Sequence, residues 1–369
     1  MNAAAHRETL LAEVEALAGE SLAPLVQSID ENGAYPGAFL RALGAAGGFA
    51  AAVDREDGGL GLGLGAQIAV IDAVGATCGA TAFLVWAQSA AAGYLRHTGN
   101  RALRAGLLPA LARGERLGGT GMSNPMKHFA GIEPIRLRAT RTPGGYRVDG
   151  SLPWVSNIGP GNVFVTAAAV DDGGYAMFVA DCDAAGLTLG DCPPFSALEG
   201  TRTFNCRFAG VFVPDAAIVA RPEEFPAYLQ RIRPGFVLGQ LGIGFGVAEG
   251  CIDVIRESAL THAHVNDWLE TQEDELADAL ARARAEAETL AARAEEGEAV
   301  AAEALRLRLD AAELALKAAN AAVLHAGAKG FLKRHPAQRR LREAVFVAIV
   351  TPAIKHLRKE LGLRPREAA

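Results

Sequence analysis

Two short stretches carry side chains suited to holding a flat ring with a polar edge. One is Thr120-Gly121-Met122-Ser123-Asn124-Pro125; the other is Pro153-Trp154-Val155-Ser156-Asn157-Ile158-Gly159-Pro160. Each sets a short hydroxyl residue by a turn at the end of a predicted strand, and the second adds an indole just before its serine. A heteroaromatic ligand needs an apolar face to pack on and a few hydrogen bonds along its rim, and Trp154, Ser156 and Ser123 together supply both. A tryptophan beside a turn serves core packing equally well, so only the combination is informative.

Other chemistries find little support. The run Gly59-Leu60-Gly61-Leu62-Gly63-Leu64-Gly65 lacks GxGxxG spacing, has no strand before it and no GK[ST] after it, and reads as a turn between helices. The eight histidines form no HExxH, and His262 and His264 stand two apart, a poor spacing for chelation from one helix face, so no metal site is expected. No GxSxG elbow is present. The five cysteines include no CxxC pair and read as small buried hydrophobes in a reducing compartment. A net charge of −6 supplies no field for nucleic acid. The most apolar stretch, residues 66–92, contains Asp72 and Gln88 and is interrupted by glycines, which suits buried helices rather than membrane spans. The N-terminus mixes charges with apolar residues and shows no secretory pattern, so a cytoplasmic protein is expected.

The elements that must position these residues fall into three regions. Over residues 1–116 the apolar spacing is helical, as in Leu10, Leu11, Val14, Leu17 and Ala18. Over 117–221 it alternates, as in Ile135-Arg136-Leu137-Arg138-Ala139-Thr140, and no helix is predicted between the strands, so an antiparallel, barrel-like β-domain is expected. Over 222–369 helices return: one from Arg233 opened by Pro234, two long antiparallel ones over 273–293 and 298–326, and a last one over 336–361. The fold class is α+β: a helical domain, a β-domain and a C-terminal four-helix bundle.

With that order in view, the chain resembles the acyl-CoA dehydrogenase family almost end to end. Asp54-Arg55-Glu56-Asp57-Gly58-Gly59-Leu60-Gly61 is similar to the family's PEEYGGLG turn, and Leu108-Pro109-Ala110-Leu111-Ala112-Arg113-Gly114-Glu115 to its LPxLAxGE segment. Gly121-Met122-Ser123-Asn124-Pro125 lies where the family has its flavin loop, and Gly150-Ser151-Leu152-Pro153-Trp154-Val155-Ser156-Asn157 is similar to GxKxWITN. Phe208-Ala209-Gly210-Val211-Phe212-Val213-Pro214 is similar to FxxVxVP, and Arg233-Pro234 matches the start of the first bundle helix. Gly327-Ala328-Lys329-Gly330-Phe331, then Pro336 and Arg342-Glu343, match GGxGY-x4-P-x5-RD. The resemblance implies bound FAD, with Met122, Ser123, Trp154 and Ser156 against the isoalloxazine. It implies that the loop from Gly327 to Gly330 approaches the FAD of a neighbouring subunit in a homodimer or homotetramer. It also implies an acyl thioester substrate and an electron-transfer flavoprotein or flavin reductase as redox partner.

The departures bear on mechanism. The position matching the family's catalytic Glu, in its YEG segment, is Thr351, and the alternative position before Arg233 is Ile232. Neither is a carboxylate, and a threonine hydroxyl does not take up a proton at neutral pH. The RxxFG arginine that reaches FAD phosphates is replaced within Thr261-His262-Ala263-His264-Val265-Asn266. Three readings stay open: an acyl-CoA dehydrogenase with a displaced base, for which His128 is the nearest titratable residue by sequence; a related flavin monooxygenase or desulfinase that needs no such base; and a non-catalytic partner subunit. A structural role for His128 in its loop stays open as well.

Overall fold

The computed structural model describes residues 3–363. Six helices come first: α1 Ala3–Leu17, α2 Val26–Asn32, α3 Gly37–Ala45, α4 Gly63–Thr77, α5 Gly79–Arg96 and α6 Arg101–Ala112. Their ends follow local chemistry. Gly33 closes α2 in the left-handed conformation (φ 65°) that glycine adopts without steric cost. The Asn100 side chain accepts the Leu103 amide hydrogen to cap α6.

The middle of the chain gives β1 Gly118–Thr120, α7 Ser123–Phe129, β2 Leu137–Thr142, β3 Gly145–Val155, β4 Val163–Val170, β5 Tyr175–Asp181, β6 Leu187–Asp191, β7 Phe204–Pro214 and β8 Ile218–Ala220. These form one sheet in the order β6-β7-β3-β2-β4-β5-β8, with β1 on β4. The expected antiparallel pairing holds for most neighbours, but β1 and β2 both run parallel to β4, so the sheet is mixed. The helix α7, where sequence suggested only a turn, is the connection between them. Alternation explains why β4 is buried on both faces. Val163, Val165 and Ala167 enter a helical core, while Phe164, Ala168 and Val170 enter the core of the sheet.

The remainder is helical: α8 Phe225–Asn266, α9 Glu273–Glu295, α10 Ala301–Gly330, α11 Pro336–Ile349 and α12 Ile354–Glu360. Two expectations change. The helix carrying Arg233 starts at Phe225, so Pro234 lies inside it rather than at its first turn. The last predicted helix is two, because Pro352 has no amide hydrogen to continue α11 and disfavours helical backbone at Thr351. By length and composition α8 would suffice to cross a membrane, yet 89% of its most apolar window is buried inside the protein, which makes it a core helix.

Both helical regions share one hydrophobic core, running from Leu10 through α4, α5 and α8 to Leu357. Glycines set the approach of α4 to α8. A Cβ on Gly246 would lie 2.4 Å from the Asp72 carbonyl oxygen and 2.5 Å from the Cα of Gly75. The two backbones are therefore in direct contact, and any side chain here would force them apart.

Candidate active site

The end of β3 and the loop before β7 hold an unusual concentration of left-handed backbone. Among the described residues, those other than glycine with positive φ are Trp154 (59°), Asn157 (61°), Leu198 (65°) and Arg202 (45°). Each costs of order 1–3 kcal/mol, and such strain concentrates where a side chain must be aimed. Asn157 anchors the turn from beneath. It is fully buried, donates to the Gly118 carbonyl at 2.7 Å and accepts from the Tyr35 hydroxyl at 2.7 Å. Ser156 is buried and shares a hydroxyl chain with Thr203 (2.7 Å) and Thr201 (2.8 Å). Strand β1 passes directly against this turn, since a Cβ on Gly119 would lie 2.3 Å from the Ser156 carbonyl oxygen. The anchored turn leaves the Trp154 indole 60% exposed, a large apolar face that this chain itself does not cover.

Beyond β1, the Ser123 hydroxyl meets the Thr351 hydroxyl at 2.8 Å, joining the flavin-loop position to the position matching the family's base. Thr351 lines a cavity of about 20 Å³ together with Met126, Lys127, Phe236, His356 and Glu360. Two titratable groups here escaped the sequence reading. Glu360, at the end of α12, is ion-paired with Arg233 of α8. His356 accepts the Ala353 amide hydrogen on Nδ1 at 3.3 Å, so in the neutral ring Nε2 carries the proton and is a donor. Burial, then Lys355 and Lys127, lower its pKa from the usual 6.5, which favours that neutral form. No motif marks either residue. They reach the cavity because Pro352 turns the chain between α11 and α12.

A buried arginine supports the site from behind. Arg308 of α10 donates to Gln240 Oε1 at 3.1 Å and to the Val347 carbonyl at 2.7 Å, and Gln240 in turn donates to the Thr351 carbonyl at 2.8 Å. Burial lowers the Arg308 pKa to about 10, and its Nη1 has no hydrogen-bond partner among the described residues.

The other predicted site residues are placed differently. Met122 is fully buried in the helical core, so only its backbone is available to a ligand. His128 does not line the cavity beside Thr351. Its Nδ1 lies 3.3 Å from the Glu133 carbonyl oxygen, which can only accept, and its Nε2 lies 2.8 Å from the Tyr175 hydroxyl. Both nitrogens are thus engaged within a cluster with Phe129 and Tyr175. Gly327 and Gly330 lie at the end of α10, and Gly327 is left-handed (φ 59°, ψ −141°) with open space where a Cβ would be. Phe331 (83% exposed) and Leu332 (62%) adjoin them on the surface. His262 is exposed and bonded to Thr261. Asp54, Glu56 and Asp57 approach one another in the glycine-rich turn, where Arg104 pairs with all three and Arg96 also binds Asp54.

An uncovered indole beside buried hydroxyls, and open space at Gly327 beside exposed apolar residues, suit a flavin ring and the remainder of a dinucleotide, so the residues present fit FAD. Comparison with known proteins agrees. The model of the acyl-CoA dehydrogenase N-terminal domain matches residues 4–115. Benzylmalonyl-CoA dehydrogenase of Aromatoleum aromaticum is 29% identical over 206 residues, a match that spans 55% of this chain and about half (54%) of that protein. The short-chain specific acyl-CoA dehydrogenase of Clostridium acetobutylicum is 23% identical over 94% of each chain. Among solved structures, butyryl-CoA dehydrogenase of Megasphaera elsdenii superposes with a TM-score of 0.87 at 19% identity, covering 96% of this chain and 97% of that one. PigA with FAD and proline superposes with a TM-score of 0.85 at 17% identity, covering 98% of each. The N-terminal region of the chain thus matches the acyl-CoA dehydrogenase N-terminal domain, and the whole chain shares the fold of these solved structures.

Proposed function

We propose that this protein is an FAD-dependent oxidoreductase acting on the CH–CH bond of an acyl thioester, with Glu360 as its displaced base. The observation that carries this reading is the cavity where Thr351, Glu360 and His356 meet, with Ser123 bonded to Thr351. Bound FAD would supply the two-electron acceptor for the β-hydride. The protein's own groups divide the remaining work. His356 Nε2–H donates to the thioester carbonyl oxygen, which acidifies the α-proton. Glu360, released from Arg233 as substrate enters, accepts that proton. Thr351 orients the chain through its hydroxyl. The purified protein should be yellow, and anaerobic addition of a substrate acyl-CoA should bleach it. A colourless protein that takes up no FAD would end this reading.

Trp154 gives a second measurement. An aromatic stack is worth roughly 0.5–1.5 kcal/mol beyond the area it buries. Trp154→Ala should therefore weaken FAD binding about tenfold, measured by flavin fluorescence, with little change in melting temperature because the ring is exposed.

One observation favours a different flavin chemistry. The family's usual base position holds only the Thr351 hydroxyl, and the nearby Glu360 carboxylate is occupied by Arg233. A monooxygenase or desulfinase needs no α-proton base. Rapid oxygen uptake after external reduction, with no bleaching by thioesters, would select it.

We further propose a homodimer or homotetramer in the cytoplasm, with electrons exchanged through an electron-transfer flavoprotein or a flavin reductase. The neighbouring Phe331 and Leu332 are both more than half exposed in the single chain, and exposed apolar surface of this kind suits an interface. Joint replacement of Phe331 and Leu332 by Asp should lower the mass seen by light scattering, and FAD content should fall with it if Gly327 approaches the neighbour's cofactor.

A further inference from the structure

A second chamber, of about 340 Å³, lies behind the small cavity and is within the size range of small-molecule sites, roughly 300–1,000 Å³. Phe236 lines both spaces, so the two adjoin at this residue. The inner wall is apolar and includes Ile71, Trp86, Ala90 and Ile232. Trp86 meets Phe236 edge to face at 5.2 Å, and its indole N–H points at the Phe236 carbonyl, 3.4 Å away. Gly239 keeps the chamber open beside this pair, since a Cβ there would lie 3.1 Å from the indole.

The outer end has different chemistry, with Arg96, His97, Arg231 and Glu295 in its lining. Arg96 is committed to Asp54 and Glu295. Arg231 has no acidic partner among the described residues, and the His97 ring makes no hydrogen bond there. Burial first, then Arg96 and Arg231, lower the His97 pKa to about 4, so this imidazole is neutral and offers a ring N–H without competing as a cation. Gln67 also lines the chamber at 3% exposure. Its amide nitrogen is held by the Gly48 carbonyl at 2.8 Å, while its amide oxygen takes no hydrogen bond from the described residues. A buried, half-satisfied amide, an unbonded imidazole and an unpaired guanidinium beyond a hydrocarbon wall call for an apolar chain with an anionic end.

We propose that this chamber receives the far end of an acyl chain that terminates in a carboxylate, with Arg231 as the specificity-determining residue. The proposal rests on the acyl thioester reading above and names its substrate class. Hydrocarbon fills the wall formed by Trp86, Ile71 and Ile232, and the terminal carboxylate meets the Arg231 guanidinium and the His97 N–H. Charge-assisted hydrogen bonds of this kind are about twice as strong as neutral ones. A plain acyl chain of equal length would instead place a methyl group against the cation.

Calorimetric titration of the full-length, FAD-loaded protein tests this with pairs of CoA esters of equal length, one acyl and one ω-carboxyacyl, at six, eight and ten carbons. At the best length the ω-carboxyacyl ester should bind at least about tenfold tighter. Arg231→Met should bring the pair within about twofold, and Arg231→Lys should keep most of the difference. Because Arg231 is exposed, neither change threatens folding. The proposal is overturned if plain acyl esters bind as tightly at every length, if Arg231→Met keeps the preference, or if neither ester binds. Flavin bleaching is scored separately. Preference without bleaching sinks the dehydrogenation reading and leaves the chamber assignment standing, whereas bleaching by plain esters without preference does the reverse.

Discussion

Glu360→Gln should lower the rate of flavin reduction by an acyl thioester by about 10²–10⁴-fold, the usual contribution of a positioned general base. Glutamine keeps the size of the side chain and a hydrogen bond to Arg233, so FAD content and thioester affinity should change little. Single-turnover reduction in a stopped-flow instrument separates the chemical step from binding. Arg233→Met is the informative companion, because it frees the carboxylate without removing it. If Glu360→Gln reduces at the wild-type rate, the proton goes elsewhere and the base-free chemistry gains.

The largest effect on stability is expected at Glu343. This residue is the acidic member of the Arg342-Glu343 pair that carries part of the family resemblance, and the structure shows its contacts. It is 3% exposed, bonded to Arg339 at 2.7 Å and to Arg340 at 2.9 Å, and it accepts the Gly79 amide hydrogen at 3.1 Å at the start of α5. Burial alone would raise its pKa, but Arg339 and Arg340 outweigh burial and hold it below the usual 4.5. Glu343→Ala would leave Arg340, also 3% exposed, without a carboxylate. Breaking a buried pair in this way costs about 3–5 kcal/mol, readable by urea denaturation at neutral pH. The pH dependence has a fixed sign. A carboxylate with a depressed folded-state pKa contributes stability above its unfolded value and loses it as pH falls through the folded one. The wild type should therefore lose stability below about pH 4.5 more steeply than Glu343→Ala.

Sequence patterns reveal the fold where the chain's periodicity decides it. The alternation over 135–140 marks the strand at Leu137–Thr142, and the charge-flanked apolar spacing of α9 and α10 sets two long helices. The site was half legible. Trp154, Ser156 and Ser123 could be singled out because short turn motifs carry them. Glu360 and His356 could not, because their approach to Thr351 depends on how α12 turns back after Pro352, and no local pattern records that. His128 shows the limit of reading a candidate from sequence position alone. Nearness in sequence to the flavin loop suggested a base, but α7 turns the ring toward Tyr175 instead. The mixed sheet was missed because parallel pairing of β2 with β4 depends on which strand lies between them in space, and alternation alone does not encode direction.

The glycine contact between α4 and α8 has a consequence for synthesis on the ribosome. Gly75 meets Gly246 about 170 residues later in the chain. At roughly 5–20 residues per second, the apolar flank of α4 emerges about 10–35 s before its partner. During that interval the sheet can form while the first helices wait without a mate. The nascent chain therefore presents a sticky surface for a long time, and its yield in the cell should depend on chaperones that shield α4 until α8 arrives.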